Sequence, residues 1–150
     1  RAELTKQKVK NGIRWFVLDY MYLMSDEMQD DEIRRTTTIS TGLKKICSGL
    51  GLVGIIVHSL NKGGLEDGVV PSMKHVRGSG QVVYNADIIL ALSEAPRDMG
   101  MLRSLDALSE SQRKNIRALW VLKGRELQNT KQCALYTKLP EYPIFTEYEG

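Results

Sequence analysis

Three short apolar runs dominate the pattern of the chain. Trp15-Phe16-Val17-Leu18 ends in Asp19, Leu52-Val53-Gly54-Ile55-Ile56-Val57 ends in His58-Ser59, and Ile88-Ile89-Leu90-Ala91-Leu92 ends in Ser93. Each is rich in β-branched or aromatic residues and apolar at both alternating positions, the pattern of a strand buried on both faces of a parallel sheet. A fourth run, Ala118 to Leu122, ends in Lys123; a weaker fifth surrounds Cys133 to Tyr136, and Ile144-Phe145 begins a terminal strand. Between the first two runs, Ile33, Thr36, Ile39, Leu43, Ile46 and Leu50 recur every three or four residues, with Arg34, Arg35, Lys44 and Lys45 on the other side. That spacing predicts an amphipathic helix, stopped by Gly49 and Gly51. Strand, helix and strand at this length form one right-handed crossover. The predicted class is α/β: a mainly parallel, twisted sheet flanked by helices.

The connections differ in character. Arg1 to Arg14 carries five basic side chains against one acidic and reads as the tail of a helix feeding the first strand. Ser25 to Glu32 is acidic and reads as a solvated loop leading into a helix N-terminus, where the dipole favours negative charge. Asn61 to Pro71 contains Asn-Lys-Gly-Gly and Asp-Gly and reads as a flexible loop. Residues 95 to 117 hold Pro96, Gly100 and a helical-looking Leu102, Leu105 and Leu108, and are expected to form an inserted surface element. There is no internal repeat and no low-complexity tract.

Composition narrows the class. A chain of 150 residues, 42% hydrophobic and 26% charged, suits one globular domain and excludes wholesale disorder. No apolar run approaches the roughly 20 residues of a membrane helix, and no signal-peptide layout is present. Two cysteines, Cys47 and Cys133, exclude a disulfide scaffold and lack metal-ligand spacing, so a reducing, cytoplasmic compartment is expected. The net charge of +3 is compatible with a nucleic-acid partner without requiring one.

In an open parallel sheet, ligands bind beyond the carboxyl ends of the strands. The residues that follow the apolar runs are Asp19, then His58-Ser59-Leu60-Asn61, then Lys123 and Arg125. A carboxylate, hydrogen-bonding groups and two cations suit a metal-bound polyphosphate. The carboxylate would hold Mg²⁺ through water, the polar groups would report on the terminal phosphate, and the cations would neutralise developing charge. Four apolar residues followed by Asp also matches the metal-holding strand of P-loop ATPases. Plainer readings stand beside these. Asp19 caps the next turn; His58 is a core histidine; Lys62 and Lys74 are solvated; Lys123 and Arg125 are surface charges on one side of a strand; Arg77 anchors a turn, with Ser79 capping a short helix from Gln81 to Asn85. No Gly-x-x-x-x-Gly-Lys-[Ser/Thr] occurs, and neither Gly63-Gly64 nor Gly78-Ser79-Gly80 is followed by Lys-Ser/Thr. The chain is therefore expected to be the C-terminal part of a larger ATPase domain, with its phosphate-binding loop upstream of Arg1, and to be inactive alone.

The order of motifs resembles a known family. Trp15-Phe-Val-Leu-Asp19-Tyr-Met-Tyr-Leu-Met24 resembles the Walker B segment of DnaB-type replicative helicases. Ile56-Val-His-Ser-Leu-Asn-Lys62 resembles that family's third helicase motif. His75-Val-Arg77-Gly-Ser79-Gly80-Gln81, followed by Asn85-Ala-Asp87-Ile-Ile, resembles its Asp-Leu-Arg-x-Ser-Gly segment, and Val121-Leu-Lys123-Gly-Arg125 its Lys-x-Arg pair. The phage primase-helicases are equally similar. The resemblance covers most of residues 13 to 137.

It implies a RecA-like fold in a homo-oligomeric, hexameric ring, with ATP between subunits and single-stranded DNA in the channel. It further implies that Asp19 holds Mg²⁺, with Tyr20, His58, Ser59 and Arg77 near the nucleotide. Ser59 stands where the family has Gln or His against the γ-phosphate, so sensing falls to Ser59 through water or to His58. Lys123 and Arg125 would act in trans on a neighbour's ATP. The loop from Asn61 to Val70 would face DNA, with Asn61, Lys62 and Gly63 in it and Lys74 beyond it as the contacts. A primase and a helicase loader are implied partners; no membrane is. The function implied is an ATP-dependent DNA helicase of replication. The rivals are a RecA-type recombinase or other ring ATPase that binds DNA without unwinding it, and a degenerate DNA-binding module without turnover.

Overall fold

A computed structural model describes residues 1–24, 31–66, 69–78, 80–95, 109, 114–126, 133–138 and 145–147. Most of the acidic loop after Met24, Ser79 and most of the expected insertion between 95 and 117 lie outside the described residues. The chain divides into two compact units, Arg1–Leu60 with Val76–Ala86, and Asn61–His75 with Asp87–Gly150.

In the first unit, helix α1 (Ala2–Asn11) leads into strand β1 (Trp15–Leu18), helix α2 (Glu32–Leu50) and strand β2 (Val53–Ile56); helix α3 (Gly80–Asn85) completes it. β1 and β2 pair in parallel, Trp15 opposite Val53 and Leu18 opposite Ile56. The predicted crossover is thus present. Its helix starts where Asp31 accepts a hydrogen bond from the Ile33 N–H at 2.9 Å, and stops at Gly51, whose φ of 57° only glycine adopts freely. The Lys8 ammonium donates to the carbonyls of Leu50 and Gly51, placing positive charge on the negative end of α2. Thr36, Ser40 and Leu43 are the buried positions of the helix. Asn85 of α3 donates to the hydroxyls of Ser40 and Thr41, which ties α3 to α2.

The strands are covered, and there only half-buried, on one face. Phe16 and Gly54 pair across β1 and β2, and the Phe16 ring and Cys47 sulfur fill the space a Gly54 side chain would take. On the other face Trp15, Val17, Val53 and Ile55 are all more than half exposed. The expectation of strands covered on both faces is corrected here: α2 covers one side, and among the described residues nothing comparable covers the other.

In the second unit, β3 (Ile88–Glu94), β4 (Ile116–Gly124), β5 (Cys133–Lys138) and β6 (Phe145–Glu147) form one sheet in that order. All its pairings are antiparallel. Ala91, Ile116, Ala118 and Trp120 are buried on one face, where the Trp120 indole N–H donates to the Ser93 hydroxyl at 3.0 Å. Among the described residues parallel pairing is confined to β1 and β2, and the separate sheet after Asp87 is antiparallel throughout. The connections 125–132 and 139–144 are too short for a crossover helix, which needs roughly a dozen residues. The α/β class holds.

Candidate functional site

The carboxyl ends of β1 and β2 lie side by side. The Val57 N–H donates to the Leu18 carbonyl at 2.9 Å, and the Met21 N–H donates to the Val57 carbonyl at 3.2 Å. This carries the pairing past Asp19, so that residue 19 and His58-Ser59 follow the tips of neighbouring strands. Asp19 is exposed, and its carboxylate has no hydrogen bond or ion pair among the described residues. The turn Met21–Leu23 begins at Tyr20 without a side-chain cap, so Asp19 does not serve it.

His58 is held from two sides. Its ring stacks on Tyr22 with centroids 5.3 Å apart and planes 1° from parallel, and its Nε2 meets the Arg77 carbonyl at 2.6 Å. A carbonyl only accepts, so Nε2 carries the proton. Nδ1 is buried without a partner among the described residues. Neither the simple sensor nor the satisfied core histidine describes this ring fully. The Ser59 carbonyl accepts from the Arg77 N–H at 3.1 Å, and Leu60 bridges Val76. The backbone leaving β2 is thus paired, antiparallel, with the segment that returns to Arg77.

Arg77 grips Glu32 with two donors, Nε to Oε1 at 2.9 Å and Nη2 to Oε2 at 3.2 Å. The Tyr22 hydroxyl donates to the same Oε1 at 2.6 Å. The Arg77 guanidinium also lies 4.8 Å from the Tyr22 ring centroid, and that of Arg35 lies 5.6 Å away. The electrostatics follow. Arg77 and then Tyr22, hydrogen-bonded to Glu32, hold its carboxyl below the usual glutamate range. Burial first, and the bond to Glu32 second, push Tyr22 up to about 12. Glu32 in turn raises Arg77 above the ordinary arginine value. Gly78 follows at φ 93°, where an added Cβ would lie 2.9 Å from the Thr36 hydroxyl oxygen.

Tyr22 and Glu32 are the residues that reading the sequence alone misses. The pattern presents Glu32 as a solvated helix-terminal charge, and it does sit in the first turn of α2. Its partner stands 45 positions away, a separation no periodic pattern reveals.

In the second unit, the Asn61 side chain accepts from the Gly64 N–H at 3.1 Å and donates to the Lys74 carbonyl at 3.0 Å. The Asn61 N–H donates to the His75 carbonyl at 2.8 Å. The loop read as flexible therefore begins with a capped turn, Lys62–Gly64, and Asn61 is spent on building it. Gly63 lies inside that turn, half-buried; Lys62 and Lys74 are exposed on its two arms. Lys123 and Arg125 end β4 beside the start of β3, with Lys123 opposite Ile89. Because that pair is antiparallel, they do not follow a parallel strand, which corrects the strand direction expected there. Arg125 meets Asp87 at 3.3 Å, both side chains about half exposed.

Among the described residues no group of three or more His, Cys, Asp or Glu is placed to hold a metal, and no helix is long and apolar enough to cross a membrane. A family model of the DnaB-like helicase C-terminal domain matches residues 1–138. The chain belongs to that family. The matched span contains every candidate site residue named above. Among solved structures, one described as an ATPase domain matches with a TM-score of 0.76 at 26% identity, over 99% of this chain and 50% of that one. A DnaB-like replicative helicase, described with its interactions with primase, matches with a TM-score of 0.75 at 28% identity, over 99% of this chain and 34% of that one. The DnaB-like chain thus spans half or less of the length of these two, and its fold is the RecA-like fold of such helicase domains. No curated protein sequence matches it.

Proposed function

We propose that this DnaB-like domain is the C-terminal part of one RecA-like motor domain, working in a hexameric, cytoplasmic DNA helicase that hydrolyses Mg-ATP between subunits. The observation that carries the reading is the exposed Asp19 carboxylate, without a partner among the described residues, at the paired tips of β1 and β2. Among the described residues Asp19 belongs to no group of three or more potential metal ligands, and a single carboxylate suits Mg²⁺, which keeps most of its waters and takes phosphate oxygens for the rest. Mg-ATP, when bound, supplies the transferable phosphoryl group and the divalent charge that polarises it.

In this reading Asp19 accepts hydrogen bonds from metal-bound water. Tyr20, His58 and Ser59 border the phosphates. Arg77 couples that edge to the following segment. Lys123 and Arg125 present positive charge to the nucleotide of the neighbouring subunit. An exposed pair such as Arg125–Asp87 is worth roughly 0–1 kcal/mol, so Arg125 can exchange Asp87 for a phosphate at little cost. Lys62 and Lys74 contact the backbone of single-stranded DNA, which makes binding insensitive to sequence and steeply dependent on salt. A primase and a loader act on the assembled ring.

The test is made in the full-length protein. Asp19→Asn is expected to abolish ATP turnover while leaving assembly intact. Arg125→Ala subunits are expected to regain turnover when mixed with Asp19→Asn subunits, because the two defects fall on opposite sides of one interface. Wild-type turnover from Asp19→Asn refutes the metal role; unrescued mixed rings refute the role in trans. DNA binding without any turnover by the wild type would favour the degenerate module, and turnover without strand displacement would favour the recombinase type.

A further inference from the structure

Lys62 and Lys74 carry the nucleic-acid contact in the reading above, and His75 beside them has no part in it. We propose that His75 is a further nucleic-acid-binding residue, neutral while it holds its own turn and charged when a phosphate meets it, so that single-stranded DNA is bound together with a proton. The inference rests on the loop's part in the motor reading and deepens it.

The turn Met73–His75 is closed by the His75 ring. The His75 N–H donates to the Ser72 carbonyl at 2.9 Å, and the Ser72 N–H donates back to the ring Nδ1 at 3.2 Å. A ring nitrogen that accepts a hydrogen bond carries no proton, so this imidazole is neutral and its proton sits on Nε2. A charged imidazole has a proton on both nitrogens and cannot accept from Ser72. The Ser72 hydroxyl, 3.5 Å from the same Nδ1, is the acceptor at hand for the charged ring. Ser72 thus offers a partner to either state, its amide to the neutral ring and its hydroxyl to the charged one.

The surroundings decide what the charge serves. Asn61 fastens the other arm to this turn: its N–H donates to the His75 carbonyl at 2.8 Å, and its side chain to the Lys74 carbonyl at 3.0 Å. Lys62 follows Asn61, and the turn Lys62–Gly64 packs against Met73–His75. Lys62, Lys74 and His75 therefore gather at one pinned root. The other charged groups among the described residues of Asn61–His75 are Lys62, Lys74 and Glu66, and Arg77, two positions on, is already paired with Glu32. Two cations against one carboxylate disfavour another positive charge in the free loop, and a DNA phosphate reverses that balance. Imidazole is the side chain whose charge ordinarily changes between about pH 5 and 8, so the exchange takes place in an accessible range. In the family segment that His75 to Gly80 resembles, the first position is Asp, so this feature is the chain's own.

The experiment measures binding of an oligothymidylate to the full-length protein across a salt series, at about pH 5.5 and about pH 8, on either side of the ordinary imidazole range. With single strands, the fall of log affinity with log salt steepens by about 0.7 for each added cation that meets a phosphate. The wild-type slope is expected to be steeper at the lower pH by about 0.7 for each engaged subunit. His75→Asn keeps an acceptor for Ser72 that takes up no proton, and should show the shallow slope at both pH values. His75→Lys is charged throughout and should show the steep slope at both. His58, the other histidine, is common to all three proteins and drops out of the comparison. A wild-type slope that ignores pH overturns the inference. So does a pH response in His75→Asn equal to that of the wild type, or a slope in His75→Lys no steeper than in His75→Asn. Lys62→Ala tests the underlying reading: unchanged affinity and slope there refute the loop as the DNA contact, and this inference with it. Weaker binding by Lys62→Ala beside a pH-independent wild type overturns the role of His75 alone.

Discussion

Gly78 offers the sharpest test of the packing around the candidate site. Its φ of 93° lies where a side chain is strained, and an added Cβ would meet Thr36 at three points: Oγ1 at 2.9 Å, Cγ2 at 3.1 Å and Cβ at 3.2 Å. Thr36 cannot easily yield. It is 1% exposed, its β-branch restricts rotation, and its hydroxyl donates to the Glu32 carbonyl at 2.9 Å. Gly78→Ala must therefore move backbone. Strain at a positive φ costs about 1–3 kcal/mol and overpacking about 1–3 kcal/mol, so a loss of about 2–6 kcal/mol is expected. That is a large part of a typical domain stability of about 5–15 kcal/mol. Gly80→Ala is the internal control: among the described residues nothing lies within 4 Å of its added Cβ. Urea unfolding of the purified protein should show Gly78→Ala shifted far below wild type and Gly80→Ala within about 0.5 kcal/mol of it, as for surface substitutions generally. Equal midpoints for the two variants would refute the close seating of the Arg77 segment on α2.

Two further expectations follow from the same unit. Gly54→Ala would put a Cβ 2.9 Å from the Cys47 sulfur and 3.0 Å from the Phe16 ring, at an overpacking cost of about 1–3 kcal/mol. Unfolding should show the loss, with partial recovery when Phe16→Leu is added; no recovery would mean the ring is not the obstacle. The Glu32 cluster gives a pH dependence. Its carboxyl is lowered in the fold, so its stabilisation is complete above the ordinary value of 4.5 and disappears as pH falls through the lower folded value. Tyr22 is raised, so its contribution is complete below 10 and disappears as pH rises toward about 12. Stability differences between wild type and Glu32→Gln should shrink on acidification below 4.5, and those for Tyr22→Phe on alkalinisation above 10. Differences independent of pH would refute the charge-assisted bonds.

Local pattern made most elements legible. The recurrence from Ile33 to Leu50 predicts α2, and Gly51 ends it in the left-handed conformation such a stop requires. The apolar runs place β1 to β4, and the short helix after Gly78 appears as α3. What could not be read is relational. The direction in which β4 meets β3 is set by a connection of residues 95–115, long enough for either topology. Exposure of Trp15 and Val17 depends on what stands over the sheet, which an apolar pattern cannot report. The Glu32–Arg77 grip joins distant positions of opposite charge, and many such pairs could be drawn on paper. Asn61, read as a DNA contact, is spent inside its own turn because its amide both accepts and donates there.

The division of labour among the polar groups sharpens the argument for the site. Arg77, Glu32, Tyr22, Asn61 and Asn85 each meet complementary partners at 2.6–3.2 Å, and in doing so they hold segments together. Their charges and dipoles are already compensated, so they have little to offer an external ligand. Asp19 is the opposite case. It stands between engaged neighbours, at a strand tip stiffened by the Leu18–Val57–Met21 hydrogen bonds, and its side chain is open to solvent. A carboxylate that only built the turn would accept from the N–H groups that follow it, and the turn at Met21–Leu23 draws no cap from any side chain. A carboxylate on a backbone fixed by strand pairing, with its own oxygens unpartnered among the described residues, is the kind of group the proposed metal-water role needs. The same logic separates Lys62 and Lys74 from Asn61. The amide shapes the turn, and the two exposed cations on its arms are the groups with charge to offer a phosphate backbone.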